Sequence, residues 1–448
     1  MINKLILLLT FYSMNILSQP YPDQFYSYEK EGLTARVETM SGMEISADGE
    51  SVILSDGVTE GYTVFTADSS EYPFNRGLPS WNGHVPNDNS SFKVLMRYYK
   101  NGWTKWLTIG YWKNNVWSSY GSTSFSDGKI DYDYTVLNSY YSKWQFQVQM
   151  KRFSSSDPTA SLHKLSFFTS DEQTTTNVNI PSIVNDKPAE IFIDTDHFYQ
   201  YGLDPDIGGD ICSPTSVSMV LRSYGIQVDP VQFANDNYDN YWGMFGIWPK
   251  AVENASEYNV NGAVTRYRTW SETREVLADG GRIVMSVGRP LYAGHLMMLA
   301  GFNASGDPLV HDPARKDGYK HKFNKTELSQ SWFNKGGIAY TFYLKDSSSI
   351  TSIDDIQSTR LADNYQLDVY PNPFNPQTNI IFTATERNYT EISIYDILGR
   401  EVINLYKGDI EPGTYKFNWN ASNLPSGMYL IRTISGNYVK SVKALLVK

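Results

Sequence analysis

The stretch ICSPTSVSMVLRSYG, residues 211–225, predicts a helix with the chain's single cysteine, Cys212, near its start. Val217, Val220 and Leu221 recur at the spacing of one helix face, Pro214 is tolerated in a first turn, and the closing glycine suits a helix end. The positive end of the helix dipole stabilises a thiolate over a thiol. A lone cysteine is otherwise a small buried apolar residue, so a candidate nucleophile here needs a base from elsewhere in the chain.

A histidine and an aspartate further along the chain supply a candidate base and its partner. His295 opens the apolar run 295–302, a turn follows, and a second short run ends at Asp312. A strand, a turn and a second strand would place Asp312 beside His295, where a carboxylate can orient the imidazole and stabilise its charged form. In a regular strand His311 has the opposite parity and points away. His197 is an alternative base, and the alternative role for Asp312 is to start a turn before a proline.

Four short motifs occur in order in the centre of the chain. They are Phe198-Tyr199-Gln200-Tyr201, Cys212-Ser213-Pro214-Thr215-Ser216, Gly294-His295 followed by Gly301, and Asp312-Pro313. Together they resemble the papain-like cysteine peptidases of the bacteriocin-processing, double-glycine type. Two features differ from the pattern of that family, because Ser213 stands where a glycine is usual and Gln200 lies further ahead of the cysteine.

The resemblance implies a role for each of these positions. Cys212 would be the nucleophile, His295 the general base and then acid, and Asp312 the orienting group. Gln200 would join the backbone N–H of Cys212 in binding the oxyanion. The resemblance also implies a papain-like α+β domain over residues 181–345 that uses no metal and no organic cofactor.

The composition excludes several other classes of protein. With 448 residues the chain is long enough for several domains. Its formal net charge of −10 offers no basic surface, so nucleic acid is not an expected partner. One cysteine permits neither an intramolecular disulfide nor a Cys-rich metal site.

The N-terminus has the pattern of an export signal. Residues 1–19 combine Lys4, the apolar run 5–9 and the small residue Ser18. The apolar stretch is shorter than the roughly 20 residues of a membrane span. We therefore expect a signal peptide and an exported protein rather than a membrane anchor.

Residues 20–171 predict an all-β accessory domain, a sandwich of jelly-roll type. Trp144, Phe146, Val148 and Met150 alternate with polar neighbours, as a half-buried strand requires. Aromatic residues are common in such cores, whereas an exposed aromatic face would stack on sugars. Core packing is the favoured role, and a glycan partner stays open for the tryptophans Trp81, Trp103, Trp106, Trp112 and Trp117.

The C-terminal residues 365–448 follow a polar linker, residues 346–364. Short strands separated by Pro, Asn and Gly predict an immunoglobulin-like β-sandwich of about seven strands. Its motifs Pro371-Asn372-Pro373, Gly399-Arg400 and Gly427-Met428-Tyr429, with the lysine-ending tail, resemble the C-terminal sorting domain of the bacterial type IX secretion system. This resemblance implies the secretion machinery as a partner, and a cell-surface or extracellular location reached through the periplasm and across the outer membrane.

The sequence thus predicts a secreted or surface cysteine peptidase that hydrolyses peptide bonds through a Cys-His-Asp triad and a thioester intermediate. Its substrate would be a peptide or a protein. Two alternatives stay open. The same triad serves a thiol amidase acting on peptidoglycan or a transglutaminase-like cross-linker. A degenerate central domain would instead leave a non-catalytic surface protein that binds glycan or protein.

Overall fold

The computed structural model describes residues 21–113, 115–172, 178–345, 365–384, 387–396, 400–435 and 438–448. The protein is mostly β, with several sheets, and divides into two compact units, Met1–Ser352 and Ile353–Lys448. The predicted signal peptide at 1–19 and the predicted linker at 346–364 lie outside the described residues. Within the described residues, no helix is long and apolar enough to cross a membrane.

In its described part, the first unit begins with twelve strands that hydrogen-bond into one sheet. They are β1 Gln24–Glu29, β2 Val37–Ser41, β3 Met43–Ile45, β4 Val52–Leu54, β5 Glu60–Phe65, β6 Asp68–His84, β7 Ser90–Tyr99, β8 Leu107–Trp112, β9 Ser124–Phe125, β10 Gly128–Asp131, β11 Tyr134–Arg152 and β12 Ser161–Ser170, with the short helix α1 Lys30–Thr34 after β1. The main path of the sheet is β2-β5-β11-β6-β12-β4-β3. The strands β6 and β11 are long enough to pair with different strands along their length. They therefore connect the shorter strands into one sheet.

Alternation along β11 separates a core face from an outer face. Trp144, Phe146, Val148 and Met150 all lie in the hydrophobic core. Among the tryptophans considered for sugar binding, Trp81 and Trp112 are fully buried in that core. The other three, Trp103, Trp106 and Trp117, are partly exposed.

The second part of the first unit has a six-stranded sheet flanked by helices. Its strands are β13 Ile191–Phe192, β14 Val260–Arg266, β15 Arg282–Val287, β16 His295–Phe302, β17 Pro308–His311 and β18 Ile338–Leu344. Its helices are α2 Ile180–Asn185, α3 Cys212–Ser223, α4 Pro230–Asn237, α5 Trp248–Ser256, α6 Trp270–Ala278 and α7 Lys325–Phe333, and a 3₁₀ turn spans Gln200–Gly202. The sheet order is β13-β16-β15-β18-β14, with β17 paired to β16.

The two parts of this unit meet along β14, the last strand of the sheet order. Its backbone N–H groups at Gly262 and Val264 donate to side chains of β6, namely Asn82 at 2.9 Å and Ser80 at 3.0 Å. A strand edge exposes unpaired backbone groups. The first sheet therefore satisfies donors of the second, and the two parts pack as one unit.

The C-terminal unit has seven antiparallel strands in its described part. They are β19 Tyr365–Tyr370, β20 Gln377–Ala384, β21 Asn388–Asp396, β22 Glu401–Ile410, β23 Gly413–Asn420, β24 Gly427–Ser435 and β25 Tyr438–Leu446. One sheet has the order β19-β20-β23 and the other β22-β21-β24-β25. Both contribute to one core that includes Phe382, Ile394, Trp419 and Ile431.

Candidate active site

Cys212 is the first residue of helix α3 and remains partly exposed. The helix begins here because the N–H of Thr215 donates to the carbonyl of Ile211. It ends at Ser223, two residues before Gly225, whose φ of +78° is the left-handed conformation typical of a residue after a helix. The sulfur thus lies at the positive end of a three-turn helix, in a residue that is partly exposed.

His295 and Asp312 lie at neighbouring ends of the paired strands β16 and β17. The His295 Nε2 atom is 2.7 Å from Asp312 Oδ1, and both side chains are buried. Cys212 lies close enough to His295 for each group to shift the pKa of the other. Because Nε2 faces the carboxylate, Nδ1 is the ring nitrogen left for the sulfur. The structure therefore brings the three predicted residues together in the order sulfur, imidazole, carboxylate.

The Asp312 carboxylate is held by further donors. The hydroxyl of Tyr292 donates to Oδ2 at 2.5 Å, and the N–H of Ala314 donates to Oδ1 at 2.9 Å. Burial raises the pKa of Asp312, but the hydrogen bond and charge of His295, with the bonds from Tyr292 and Ala314, outweigh burial and lower it. Asp312 is therefore an anion that can stabilise a charged imidazole.

The pKa values of Cys212 and His295 shift in opposite directions. Burial raises the pKa of the Cys212 thiol, but the hydrogen bond and charge of His295 and the N–H groups of Leu296 and Ser213 outweigh burial and lower it. Burial lowers the pKa of His295, but hydrogen bonds with Asp312 and Cys212 raise it to about 9. These opposite shifts favour a thiolate beside an imidazolium over a neutral pair.

Gln200 is buried and differs in its contacts from the other predicted residues. Its Nε2 atom donates to the carbonyl of Gly208 at 2.8 Å and, at 3.5 Å, to that of Gly209. Its Oε1 atom is buried without a hydrogen-bond partner among the described residues. These contacts hold the Gln200 amide against the loop before Cys212.

The other two histidines considered from the sequence make structural contacts. His197 bonds through Nε2 to the backbone carbonyl of Asp312 at 2.9 Å and so supports the segment that carries the carboxylate. His311 bonds through Nε2 to the carbonyl of Ile193 at 3.0 Å. Within the described residues, no group of three or more His, Cys, Asp or Glu side chains could hold a metal ion.

Sequence reasoning missed three groups around the site. The first is Tyr292, whose hydroxyl donates to Asp312. It precedes the Gly-His motif, but no sequence pattern indicates this role. Tyr340 on β18 places its hydroxyl 2.9 Å from Ser213 Oγ, next to the nucleophile. Lys335 donates to Ser286 Oγ at 3.0 Å, and the charge of Cys212 raises the pKa of this lysine against the larger lowering effect of burial.

Two solved structures illustrate a weak likeness to the chain. PorZ, a surface component of the type-IX secretion system of Porphyromonas gingivalis, is 18 % identical over 37 % of this chain and 23 % of its own, with a TM-score of 0.15. The β-glucuronidase of Faecalibacterium prausnitzii is 8 % identical over 88 % of this chain and 38 % of its own, with a TM-score of 0.16. The chain therefore spans less than half of either protein, and similarity at this level supports no argument.

Three family models match successive parts of the chain. Residues 18–170 match the peptidase C39 N-terminal domain, residues 192–340 the Peptidase_C39 like family, and residues 368–448 the secretion system C-terminal sorting domain. No curated protein matches the chain. These three matches confirm both resemblances drawn from the sequence: a peptidase C39-like segment in the centre and a type IX sorting domain at the C-terminus.

Proposed function

We propose that the protein is a cysteine peptidase that hydrolyses peptide bonds with Cys212, His295 and Asp312. The observation that carries this proposal is the buried hydrogen bond of 2.7 Å between the His295 imidazole and the Asp312 carboxylate, with Cys212 near enough for its pKa and that of His295 to shift each other. The match to the Peptidase_C39 like family supports the same chemistry.

The proposed acylation step uses the charged pair. The Cys212 thiolate attacks the carbonyl carbon of the substrate, and an oxyanion forms on the carbonyl oxygen. As the C–N bond breaks, the His295 imidazolium gives its proton to the leaving amine. The products of this step are a thioester on Cys212, a free amine and a neutral imidazole, which Asp312 keeps oriented.

The proposed deacylation step returns the site to its starting state. Neutral His295 takes a proton from a water molecule, whose oxygen attacks the thioester carbon. The C–S bond breaks, the second product leaves as a carboxylic acid, and the sulfur leaves as a thiolate beside the newly formed imidazolium. Atoms and charges balance with water as the co-reactant.

Gln200 and the backbone N–H of Cys212 are the proposed oxyanion donors. The contact of the Gln200 amide with the Gly209 carbonyl is at the limit of a hydrogen bond, 3.5 Å. One N–H of this amide can therefore turn to a substrate oxygen while the other keeps its 2.8 Å bond to Gly208.

The domain assignment belongs to the same proposal. We assign residues 20–171 to a jelly-roll-like sandwich, residues 181–345 to a papain-like α+β domain and residues 365–448 to an immunoglobulin-like sandwich. The sorting domain indicates export by type IX secretion to the cell surface or the extracellular space. A peptide or protein outside the cell is accordingly the proposed substrate, and the secretion machinery is the proposed partner.

The test compares the wild-type chain with Cys212→Ala on a mixed peptide library, with His321→Gln as a control histidine outside the triad. We expect new peptide termini with the wild type and the control, and loss of cleavage by a factor of at least about 10³ with Cys212→Ala. Equal cleavage by the wild type and Cys212→Ala would contradict the triad mechanism. Release of ammonia without new termini would instead indicate an amidase or a cross-linking enzyme.

A further inference from the structure

The outer face of the first sheet carries a row of polar and aromatic side chains. Along β11 the core residues alternate with Gln145, Gln147 and Gln149, so these glutamines point to the opposite face. In the register of the sheet, Gln149 lies opposite Tyr62 on β5 and opposite Lys93 on β7. The three residues Tyr62, Gln149 and Lys93 therefore share one row across the strands.

A cavity of about 400 Å³ opens on this row. Its lining includes Tyr62, Trp117, Gln149, Glu60 and Ser41. A volume of this size lies within the usual range for small-molecule sites, about 300 to 1,000 Å³. The cavity thus combines two aromatic side chains with an amide, a carboxylate and a hydroxyl.

Trp117 is held in place before any ligand arrives. Its indole N–H donates to Ser91 Oγ, and the Lys93 ammonium lies 4.2 Å from the centre of its ring. A cation over an aromatic ring and a bonded indole N–H both fix the orientation of the ring. The ring therefore lines the cavity in a fixed orientation, which lowers the entropic cost of binding.

Two glycines keep one end of the cavity free of side chains. Gly42 has a φ of +63°, and a Cβ atom at Gly61 would lie 2.6 Å from the Gly42 carbonyl oxygen. Neither position tolerates a larger residue without a shift of the backbone. The close approach of the two backbones therefore requires a glycine at both positions, and neither adds a side chain to the cavity lining.

The charges at the cavity point to a neutral ligand. Glu60 pairs with Lys151 at 3.4 Å, and Lys93 donates to the carbonyl of Ser119 while it covers Trp117. An ionic ligand would have to compete with these contacts. Hydroxyl groups can instead add to them as donors and acceptors.

Strand β5, which carries Tyr62 at the cavity, has no free edge for an extended peptide. Peptides commonly bind to sheets by adding a strand to an unpaired edge. Here β5 already pairs with β2 on one side and with β11 on the other, so its backbone groups beside Tyr62 are used. A ligand in this cavity would instead contact aromatic and polar side chains.

We propose that this cavity binds a short neutral saccharide. The apolar C–H face of a pyranose ring would pack on Tyr62 or Trp117, and its hydroxyls would bond to Gln149, Glu60 and Ser41. The site is separate from the Cys212 site and does not depend on catalysis. It would hold the exported protein on a carbohydrate surface.

The test measures binding of cellotetraose and chitotetraose to the full chain by titration calorimetry, with Cys212→Ala present in every variant. We expect at least one probe to bind, and Tyr62→Ala and Gln149→Ala each to weaken that binding tenfold or more. Tyr62→Phe keeps the ring and should keep the affinity within about threefold. Tyr72→Ala is the matched control, because Tyr72 and Tyr62 are equally exposed, 42 % each, in the same sheet.

Three outcomes would overturn the proposal. They are no binding of either probe, equal weakening by Tyr72→Ala and Tyr62→Ala, and a tetra-alanine peptide that binds in a manner sensitive to Tyr62→Ala. Circular dichroism of each variant separates loss of the site from loss of the fold. Because Cys212 is absent throughout, none of these results bears on the peptidase proposal.

Discussion

At the residue scale, the charge of one sulfur depends on two other side chains. His295 lowers the pKa of Cys212, and the hydrogen bond with Asp312 is the largest effect that raises the pKa of His295. The charged pair exists between the lowered thiol pKa and the raised imidazole pKa of about 9. Activity should therefore fall on the acid side as the thiolate gains a proton, and on the alkaline side as the imidazolium loses one.

The Asp312→Asn variant tests this dependence. Loss of the charged partner removes about 1.5 to 3 kcal/mol of hydrogen bonding, so the pKa of His295 should fall by about one to two units. The alkaline limb of the pH profile of kcat/KM should move down by the same amount, and alkylation of Cys212 by iodoacetamide should require a higher pH. Asp317→Asn, an exposed aspartate of the same loop, is the control. Superimposable profiles for wild type and Asp312→Asn would contradict this account.

At the element scale, helix α3 contacts strand β18 at the residue that follows the nucleophile. Ser213 and Tyr340 are both buried, and their hydroxyls lie 2.9 Å apart. The serine that replaces the usual glycine of the family pattern is thus paired with a hydroxyl of the central sheet. Tyr340→Phe would leave a buried hydroxyl without this partner, at a cost of about 1 to 3 kcal/mol.

A double-mutant cycle isolates this contact. We expect Ser213→Ala and Tyr340→Phe each to lower the urea concentration at which the protein unfolds, and the double variant to lose less than the sum of the two. Tyr72→Phe, at an exposed tyrosine, should leave the midpoint unchanged. Strict additivity of the two single changes would show that the hydroxyls do not act as a pair.

At the scale of the whole molecule, Asp133 of the first sheet contacts the second part of the same unit. This buried aspartate lies between β10 and β11 and accepts a hydrogen bond from the N–H of Trp248 at 2.7 Å, where helix α5 begins. Burial raises the pKa of Asp133 to about 7. A group whose folded pKa exceeds its unfolded value of 3.8 binds more protons in the folded state, so stability should rise as the pH falls from about 7 toward about 4.

Asp133→Asn measures this contribution. The amide cannot ionise, yet its oxygen can still accept from the Trp248 N–H. We expect the variant to gain stability relative to wild type on going from pH 5 to pH 8, by an amount on the order of a few kcal/mol in urea unfolding. An identical gain for Asp88→Asn, at an exposed aspartate, would remove Asp133 as the cause.

The C-terminal unit is expected to direct export of the protein. Residues 353–448 form their own compact unit, and residues 368–448 match the sorting domain. We expect a chain that ends at residue 352 to accumulate in the periplasm, whereas the full chain reaches the surface or the medium. Cell fractionation with an antibody to the first unit distinguishes the two. Equal export of the shortened chain would contradict the role of the sorting domain.

Local sequence pattern was enough to predict several parts of this protein. The helix from Cys212, the hairpin that joins His295 to Asp312 and the short strands of the C-terminal unit all follow from nearby residues, because periodicity and turn residues act over a few positions. Motifs with a known order added the peptidase C39-like segment and the sorting domain, which periodicity alone does not contain.

Tertiary structure alone decided which distant side chains meet. Tyr340 lies 127 positions after Ser213, and Asp133 lies 115 before Trp248, so no local pattern links either pair. The row through Tyr62 and Gln149 likewise depends on sheet register, since a shift of one residue would turn these side chains into the core. Contacts of this kind arise from the packing of whole elements, and their free energy is gained only when the entire unit folds.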